Sequence, residues 1–195
     1  ANNYLYKKDL KKKEKKYRLK VGINLKNKLV SINKPISSKI MFNNKYPYRS
    51  SMSKTMIKSF MDLSKLINRK FNPKKILEIG SNDGSFIKNF SKEKVIGIEP
   101  CSNVEKITKK MGFNTYANYW DKKTAQKILK INGEVDLIYS ANTISHIQNL
   151  NEVFKSINII LNENGILIIE DPSLLDCLKK NTYDQFYNEH IYVFS

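Results

Sequence analysis

The chain has 195 residues, of which 41% are apolar, and a formal net charge of +17. This length suits one main domain with at most a small second module, and no apolar run approaches the roughly 20 residues of a membrane-spanning helix. The N-terminal lysines precede no apolar stretch of the kind that defines a secretory signal, so we expect a soluble, cytoplasmic protein without a membrane partner.

The positive charge by itself favours a nucleic-acid or acidic partner, because clustered lysines release counterions from phosphate. The densest basic run is residues 7–20, which includes Lys15 and is interrupted by Glu14. Lysine is in excess throughout the chain, however, and no aromatic stacking pattern accompanies the basic run. A generic basic surface is therefore the favoured interpretation, with nucleic acid as the alternative partner.

Residues 1–52 predict a small, irregular N-terminal module or arm. Apolar residues alternate between Tyr17 and Ile32, which favours short strands over a helix. Ser53 is suited to cap a helix over residues 53–72, where apolar side chains recur at helical spacing. We expect this helix to link the module to the domain that follows.

Residues 73–195 alternate between strand and helix patterns. Short apolar strands are predicted at residues 75–79, 95–99, 114–117, 136–140 and 166–170. Helices are predicted from Gly84 and at residues 103–111, 122–131 and 150–161, with a turn at 162–165. This order implies an α/β fold, a doubly wound and mostly parallel sheet with helices on both faces. Such sheets bind ligands at the carboxyl ends of their strands, so functional residues should follow Ile79, Ile98, Tyr139 and Ile169.

The loop after the first of these strands is suited to close approach of a ligand. Gly80 at the strand end and Gly84 at the expected helix start permit sharp turns of the backbone. Asn82 and Ser85 stand where a dinucleotide fingerprint requires glycine, which disfavours a pyrophosphate ligand. Glu99 lies about 20 residues downstream, where an acidic side chain accepts both ribose hydroxyls. A nucleoside ligand without phosphates fits both facts. The alternative is an unrelated doubly wound fold, in which the glycines serve only to turn the loop.

Several segments of this region are distinctive. They are residues 46–53 (YPYRSSMS), 78–84 (EIGSNDG), 97–100 (GIEP), 141–147 (ANTISHI), 170–173 (EDPS) and 183–190 (YDQFYNEH). Together they resemble the S-adenosylmethionine-dependent sugar C-methyltransferase family. The resemblance begins near Ile36, runs to the last residue and is most family-specific in the final segment.

The resemblance implies a Rossmann-like class I methyltransferase domain that binds S-adenosylmethionine and a nucleotide-linked ketosugar. Glu99 would hold the cofactor's ribose, and the Asn142 region would receive its amino group. Tyr48 resembles a sugar-contacting tyrosine of the family, with Tyr46 as the alternative. The full set of residues implied to contact the cofactor is Glu78, Gly80, Ser81, Asn82, Gly84, Glu99, Pro100 and Asn142.

Methylation of a sugar carbon requires a carbanion stabilised by a neighbouring ketone, and therefore a base. The chain has two histidines, His146 and His190, and histidine is a competent base at neutral pH. We favour His190, because Tyr187 and Glu189 lie beside it, in the Tyr-x-Glu-His pattern of the family's active-site segment. His146 is then a substrate-positioning or proton-relay group, and a loop histidine without such a role is the alternative.

The chain departs from the family in two respects. Members open with a cysteine-rich zinc module, but no cysteine precedes Cys101 here, so zinc or another metal is not supported. Members also continue past the equivalent of Ser195 into a second α/β domain, so we interpret the chain as truncated. The alternatives to sugar C-methylation are an RNA or small-molecule O- or N-methyltransferase, or a non-catalytic fragment that only binds the cofactor.

Overall fold

The computed structural model describes residues 6–14 and 16–195. The first five residues of the predicted N-terminal module, and Lys15 of the basic run, lie outside the described residues. The described part of the run forms one 3-10 turn, Lys7–Asp9, followed by exposed chain. Lys12 Nζ lies 2.7 Å from Asp9 Oδ1, an exposed ion pair that contributes little to stability.

Eight strands and six α-helices follow in the described residues. The strands are β1 (Val21–Ile23), β2 (Val30–Ile32), β3 (Ile76–Ile79), β4 (Val95–Ile98), β5 (Asn114–Tyr116), β6 (Val135–Ala141), β7 (Leu161–Glu170) and β8 (Tyr192–Val193). The helices are α1 (Ser38–Met41), α2 (Lys54–Phe71), α3 (Ser102–Lys110), α4 (Lys122–Asn132), α5 (Leu150–Ile160) and α6 (Leu174–Lys179). No helix in the described part of the chain has both the length and the apolar character needed to cross a membrane.

The central sheet has five parallel strands in the order β5-β4-β3-β6-β7. The chain starts at β3 in the middle, moves outward through β4 and β5, and then crosses to β6 on the other side of β3. The predicted α/β fold with a doubly wound parallel sheet is therefore confirmed. The reversal of strand order beside β3 creates a crevice at the carboxyl ends of the strands, where ligands bind in such folds.

Both faces of this sheet are buried, because helices or loops cover each of them. Alternate residues of β3 point to opposite faces, so Leu77 packs with α4 and α5 while Ile76 packs with α2. On the α2 side the rings of Phe86 and Tyr139 have centroids 4.1 Å apart. The two apolar layers fix the central strands and hence the loops at their carboxyl ends.

The core of β6 gives a direct test of this packing. Ile138 is 0% exposed between the sheet and the α4–α5 layer, so Ile138→Ala is expected to lower the free energy of unfolding by about 2–5 kcal/mol through lost burial and a residual cavity. Ile131 in α4 is 59% exposed, so Ile131→Ala should change it by less than about 0.5 kcal/mol. Urea unfolding of both variants measures the difference, and equal effects would contradict the assignment of Ile138 to the core.

The prediction of a helix that begins near Gly84 is wrong. The φ angles of Asn82 and Gly84 are 46° and 81°, values that a right-handed helix cannot contain. The segment instead turns, and it has a single 3-10 turn at Ile87–Asn89. The Asn89 side-chain amide donates to the carbonyls of Ser85 and Phe86, which replaces the helical pattern with local side-chain bonds.

The turn predicted at residues 162–165 lies inside β7. Pairing with β6 jumps from Val135–Leu161 to Leu137–Ile166, so four residues of β7 bulge out of register. This irregularity keeps Leu161 and Ile166 on the sheet while accommodating the extra chain.

The N-terminal and C-terminal segments meet in a second, antiparallel sheet of order β1-β2-β8. Ser31 pairs with Tyr192, and Val30 with Val193. The helix predicted at residues 53–72 is present as α2, and the Ser53 hydroxyl accepts a hydrogen bond from the Met56 N–H at 3.2 Å. The pairing of β2 with β8 holds the segment before α2 against the last residues of the chain.

Candidate active site

A cavity of about 700 Å³ opens at the carboxyl ends of β3, β4 and β6. This volume lies within the range of small-molecule sites. The cavity is lined by the loops after these strands, by residues 35–50 and by residues near the C-terminus. The site therefore lies where the reversal of strand order predicts it.

The glycine loop after β3 borders the cavity at Gly80 but not at Gly84. Gly80 has a φ of 80°, and a Cβ atom there would overlap the Thr143 side chain. Gly84 has a φ of 81°, and a Cβ atom there would lie 2.6 Å from Thr108 Cγ2. Glycine is thus required at both positions, at Gly80 beside the cavity and at Gly84 for the turn behind it.

Glu99 follows β4 and lies buried on the cavity wall. Its Oε1 accepts a hydrogen bond from the Cys101 N–H at 2.8 Å, and its Oε2 accepts one from the Asn82 N–H at 3.0 Å. Burial raises the pKa of Glu99, although these two N–H donors, the Cys101 thiol and the nearby Arg49 oppose the shift. Because each carboxylate oxygen can accept more than one hydrogen bond, Glu99 can also accept hydrogen bonds from a ligand in the cavity.

Two polar groups beside Gly80 are buried without a hydrogen-bond partner. They are Oε2 of Glu78 and Oγ of Ser81, and both residues line the cavity. Burial raises the pKa of Glu78 well above its usual range, and the charges of Glu99 and Asp83 add to that shift. Buried polar atoms are normally paired, so this end of the cavity fits a polar ligand group.

The segment around Tyr48 is tied to the glycine loop through Asn82. Asn82 Oδ1 accepts from the Ser50 N–H at 2.9 Å, and Asn82 Nδ2 donates to the Tyr48 carbonyl at 3.4 Å. Tyr48 and Tyr46 both line the cavity, with 43% and 7% of their surface exposed. Either tyrosine is therefore placed to meet a ligand beside the loop.

His190 forms a hydrogen-bonded pair with Tyr187. Its Nδ1 lies 2.9 Å from the Gln185 carbonyl, which only accepts, so Nδ1 carries the proton. Nε2 is then the acceptor for the Tyr187 hydroxyl at 2.8 Å. Burial raises the pKa of Tyr187 to about 12, so the phenol keeps its proton at neutral pH. Tyr187 lines the cavity and His190 does not, so the His190 imidazole is connected to the cavity through the Tyr187 phenol.

His146 also lines the cavity, and its ring stacks between those of Phe42 and His190, at centroid distances of 5.3 and 5.1 Å. Burial, together with the charge of His190, lowers the pKa of His146 to about 3. Its Nε2 is buried without a hydrogen-bond partner. His146 is therefore a neutral imidazole with one unused nitrogen.

Glu189 completes the C-terminal part of the wall. It is buried, and its Oε2 accepts a hydrogen bond from the Tyr46 hydroxyl at 3.4 Å. Pro100 and Asn142 line the cavity as well, after β4 and β6. Of the residues predicted from the sequence, Gly84 and His190 are thus the two that do not border it.

Three further wall residues, Tyr119, Trp120 and Asp121, carry no motif. They lie beyond the end of β5, and the Tyr119 hydroxyl donates to the Phe42 carbonyl at 2.6 Å. Ligands bind at the carboxyl ends of parallel strands, and this loop follows β5. Its position after a predicted strand is the sequence signal that could have identified it.

In residues 6–14 and 16–195, no group of three or more His, Cys, Asp or Glu side chains has the geometry of a metal site. Cys101 and Cys177 are free and buried. Burial raises the pKa of Cys101, so its thiol stays protonated.

Known structures share this fold. The plantazolicin methyltransferase BamL, solved with a triazolic desmethylPZN analogue and SAH, has a TM-score of 0.55 and 17% identity, over 75% of this chain and 60% of that chain. The plantazolicin methyltransferase BpumL, solved with a pentazolic analogue and SAH, has a TM-score of 0.54 and 16% identity, over 72% and 60%. At these identities the likeness concerns the fold, which is the Rossmann-like class I methyltransferase fold.

Sequence comparison extends the likeness. C-methyltransferase NovU of Streptomyces niveus is 27% identical over 122 residues, which are 62% of this chain and 29% of that relative. The chain thus spans less than a third of the length of this curated relative. A model described as the methyltransferase domain matches residues 48–195. Since this match covers most of the chain, the protein belongs to the methyltransferase domain family.

Proposed function

We propose that the chain binds S-adenosylmethionine at the Gly80 loop and serves as the catalytic domain of a methyltransferase. The observation that supports this best is the set of buried polar atoms without a partner on the cavity wall, Glu78 Oε2 and Ser81 Oγ, together with the buried Glu99 carboxyl on the same wall. Glu99 would accept the ribose hydroxyls, and the Glu78 end would take the amino-acid part. S-adenosylmethionine, when bound, supplies an electrophilic methyl group. The SAH in the BamL and BpumL structures supports the same ligand here.

We further propose that the methyl acceptor is a carbon of a nucleotide-linked ketosugar. The relative named C-methyltransferase NovU supports carbon as the acceptor atom. The paired Tyr187 and His190 support a mechanism that begins with proton removal. O-methylation of an acidic hydroxyl needs a much weaker base.

The hydrogen-bond directions define how this pair would act. The proton next to the sugar ketone would pass to the Tyr187 oxygen while the phenol proton passes to Nε2 of His190. The resulting imidazolium keeps its Nδ1–H bond to Gln185, and the charge of Glu189 favours it. His146, being neutral, would position the sugar through its unused Nε2.

The charges on the cavity wall suggest where the nucleotide lies. Glu78, Glu99, Asp121 and Glu189 are acidic, and among the described wall residues Lys39 is the single Lys or Arg. Lys39 and its neighbours Ser37 and Ser38 belong to the N-terminal side of the cavity, away from the Gly80 loop in sequence. A cationic side chain on the cavity wall attracts a phosphate group, so we place the sugar nucleotide's phosphates near Lys39.

Lys39→Gln is therefore expected to raise KM for a nucleotide-linked ketosugar by about 5-fold, since a charge-assisted hydrogen bond from an exposed lysine is worth about 1 kcal/mol. Affinity for S-adenosylmethionine should not change. Lys45→Gln, which alters an exposed lysine outside the cavity lining, is the matched control. Equal KM values for both variants and the unaltered protein would exclude the Lys39 side as the phosphate site.

The proposed function is tested in two steps. Titration calorimetry measures whether S-adenosylmethionine binds, and failure to bind would refute the cofactor. Assay with nucleotide-linked ketosugars, and analysis of whether the new methyl is on carbon or oxygen, then tests the acceptor.

A further inference from the structure

The small antiparallel sheet has an open edge at β1. In the part of the chain that the structure describes, β1 pairs only with β2. The Asn33 N–H donates to the Lys20 carbonyl at 2.8 Å, so the backbone groups of Lys20 face β2. Because these directions alternate along an antiparallel strand, the N–H and C=O groups of Val21 and Ile23 face away from β2. An edge of this kind is a template for pairing with another strand.

The apolar face of the same sheet is covered at β8 and β2 but not at β1. Ile23 lies opposite Val30, and Val30 lies opposite Val193, so the three side chains form one row across the sheet. Their exposed fractions are 53%, 9% and 2%. Val21, opposite the buried Ile32, is likewise 44% exposed. The apolar layer therefore runs on to the open edge, where a further strand with apolar side chains on this face would extend it.

The opposite face of the β1 segment is basic. Since side chains alternate between the two faces of a strand, Lys20 lies on the face opposite to Val21, and Arg18 stands two residues before it. Gly22 leaves space on that face, because a Cβ atom there would meet nothing within 4 Å. Residues 15–61 contain no Asp or Glu, and neither of the two salt bridges in the described residues involves this segment. The positive charge beside the open edge thus lacks an acidic neighbour in this part of the sequence.

These three features together favour one kind of occupant. A second copy pairing through β1 would place two basic segments side by side, which like-charge repulsion disfavours. Nucleic acid would neutralise the basic face but would leave the apolar row and the backbone groups of the edge without partners. A lipid surface would bury those backbone groups where nothing can pair with them. An extended acidic peptide matches the charge, the apolar row and the backbone groups at once.

We propose that β1 is a docking edge for an extended segment of a partner protein in which acidic and apolar residues alternate. The segment adds beside β1 as a fourth strand of the sheet, with its apolar side chains next to Val21 and Ile23 and its carboxylates next to Lys20. Backbone hydrogen bonds supply affinity, and the alternation of side chains supplies specificity. The inference goes beyond the proposed methyl transfer, since β1 is outside the cavity lining.

The test is fluorescence anisotropy with the complete chain and three labelled heptapeptides. The first alternates glutamate and valine (EVEVEVE), the second has the same composition in two blocks (EEEEVVV), and the third alternates lysine and valine (KVKVKVK). We expect the first peptide to bind at least about tenfold more tightly than either of the others, because only it matches both faces of the edge. Equal binding of the first two peptides would show that charge alone is recognised and would overturn strand pairing.

Variants at the edge separate backbone pairing from apolar contact. Val21→Pro removes the N–H that faces the open edge and keeps the bonds between β1 and β2, so it should weaken EVEVEVE by at least about tenfold. Val21→Ala shortens the side chain but keeps the N–H, so it should weaken the peptide less. An unchanged unfolding temperature shows that each variant is folded.

A charge reversal tests the basic face independently of the backbone. Lys20→Glu should weaken EVEVEVE by about fivefold and strengthen KVKVKVK, because it replaces an attraction with a repulsion. Lys123→Glu makes the same change of net charge on an exposed position of α4 and is the control, with an expected effect below about twofold. Equal effects of the two variants would reduce the binding to net charge and contradict the proposal.

Amide hydrogen exchange followed by NMR locates the contact. With EVEVEVE bound, the amides of Val21 and Ile23 should exchange at least about tenfold more slowly, and that of Gly22, which faces β2, should change less. Protection outside β1, full-strength binding by folded Val21→Pro, or no binding of EVEVEVE would overturn the docking edge. Binding of oligouridylate or of anionic lipid vesicles in place of EVEVEVE would assign the basic face to phosphate, and a dimer abolished by Val21→Pro would assign the edge to a second copy. Each of these two results would also refute the proposed partner.

Discussion

His190→Asn is expected to lower turnover of a ketosugar by about 10²–10⁴-fold, the usual contribution of a positioned general base. The variant should retain cofactor and sugar binding, because His190 does not border the cavity. It should also stop exchange of the sugar's proton with solvent deuterium, which reports proton removal independently of methyl transfer. Steady-state kinetics and NMR detection of exchange measure the two effects.

Two companion variants identify the path of the proton. Tyr187→Phe removes the hydroxyl that joins the cavity to His190, so it should abolish exchange as fully as His190→Asn if the proton passes through the phenol. His146→Asn should be milder, because a neutral positioning group gives up no proton. A normal rate of deuterium exchange in the His190 variant would make His146 or Glu189 the base. Unchanged exchange and turnover in both histidine variants would count against C-methylation.

The pH profile gives a third check on His190. Burial lowers its pKa below the usual value near 6.5, so the neutral, basic form predominates at neutral pH. kcat/KM should therefore be flat near pH 7 and fall as the pH drops through the lowered pKa. His146, with a pKa of about 3, titrates too low to produce this limb. Persistence of the limb in His190→Asn would assign it elsewhere.

Glu99→Ala is expected to weaken S-adenosylmethionine binding by at least about 10²-fold. The change removes two charge-assisted hydrogen bonds, each worth about 1.5–3 kcal/mol, and leaves the Asn82 and Cys101 N–H groups unpaired. Glu99→Gln should lose less, since its remaining oxygen still accepts. Calorimetry measures both affinities.

Thermal unfolding of the same variants separates lost contacts from lost structure. An unfolding temperature close to that of the unaltered protein would attribute the weaker binding to the site. Unchanged affinity in folded Glu99→Ala would remove Glu99 from the ribose contacts, and the fit of the cavity to a nucleoside would need a different acceptor.

The sequence by itself determined the order of the five central strands and of helices α2 to α5, the cap at Ser53 and the loops that line the cavity. These features depend on short-range physics: apolar periodicity, a hydroxyl near free N–H groups, and glycine where the backbone needs a positive φ. The position of Gly80 after an apolar strand, with Glu99 after the next, was enough to predict where the cavity lies at the sheet.

Only the tertiary structure decided how the site residues are paired and charged. The pairing of β2 with β8 and the bulge in β7 depend on contacts between distant parts of the chain. The same holds for the proton on Nδ1 of His190, which is set by the Gln185 carbonyl, and for the unpaired oxygen of Glu78. Desolvation and hydrogen-bond satisfaction are properties of a packed environment, so neither the raised pKa of Glu78 nor the direction of the Tyr187–His190 bond is encoded in local sequence spacing.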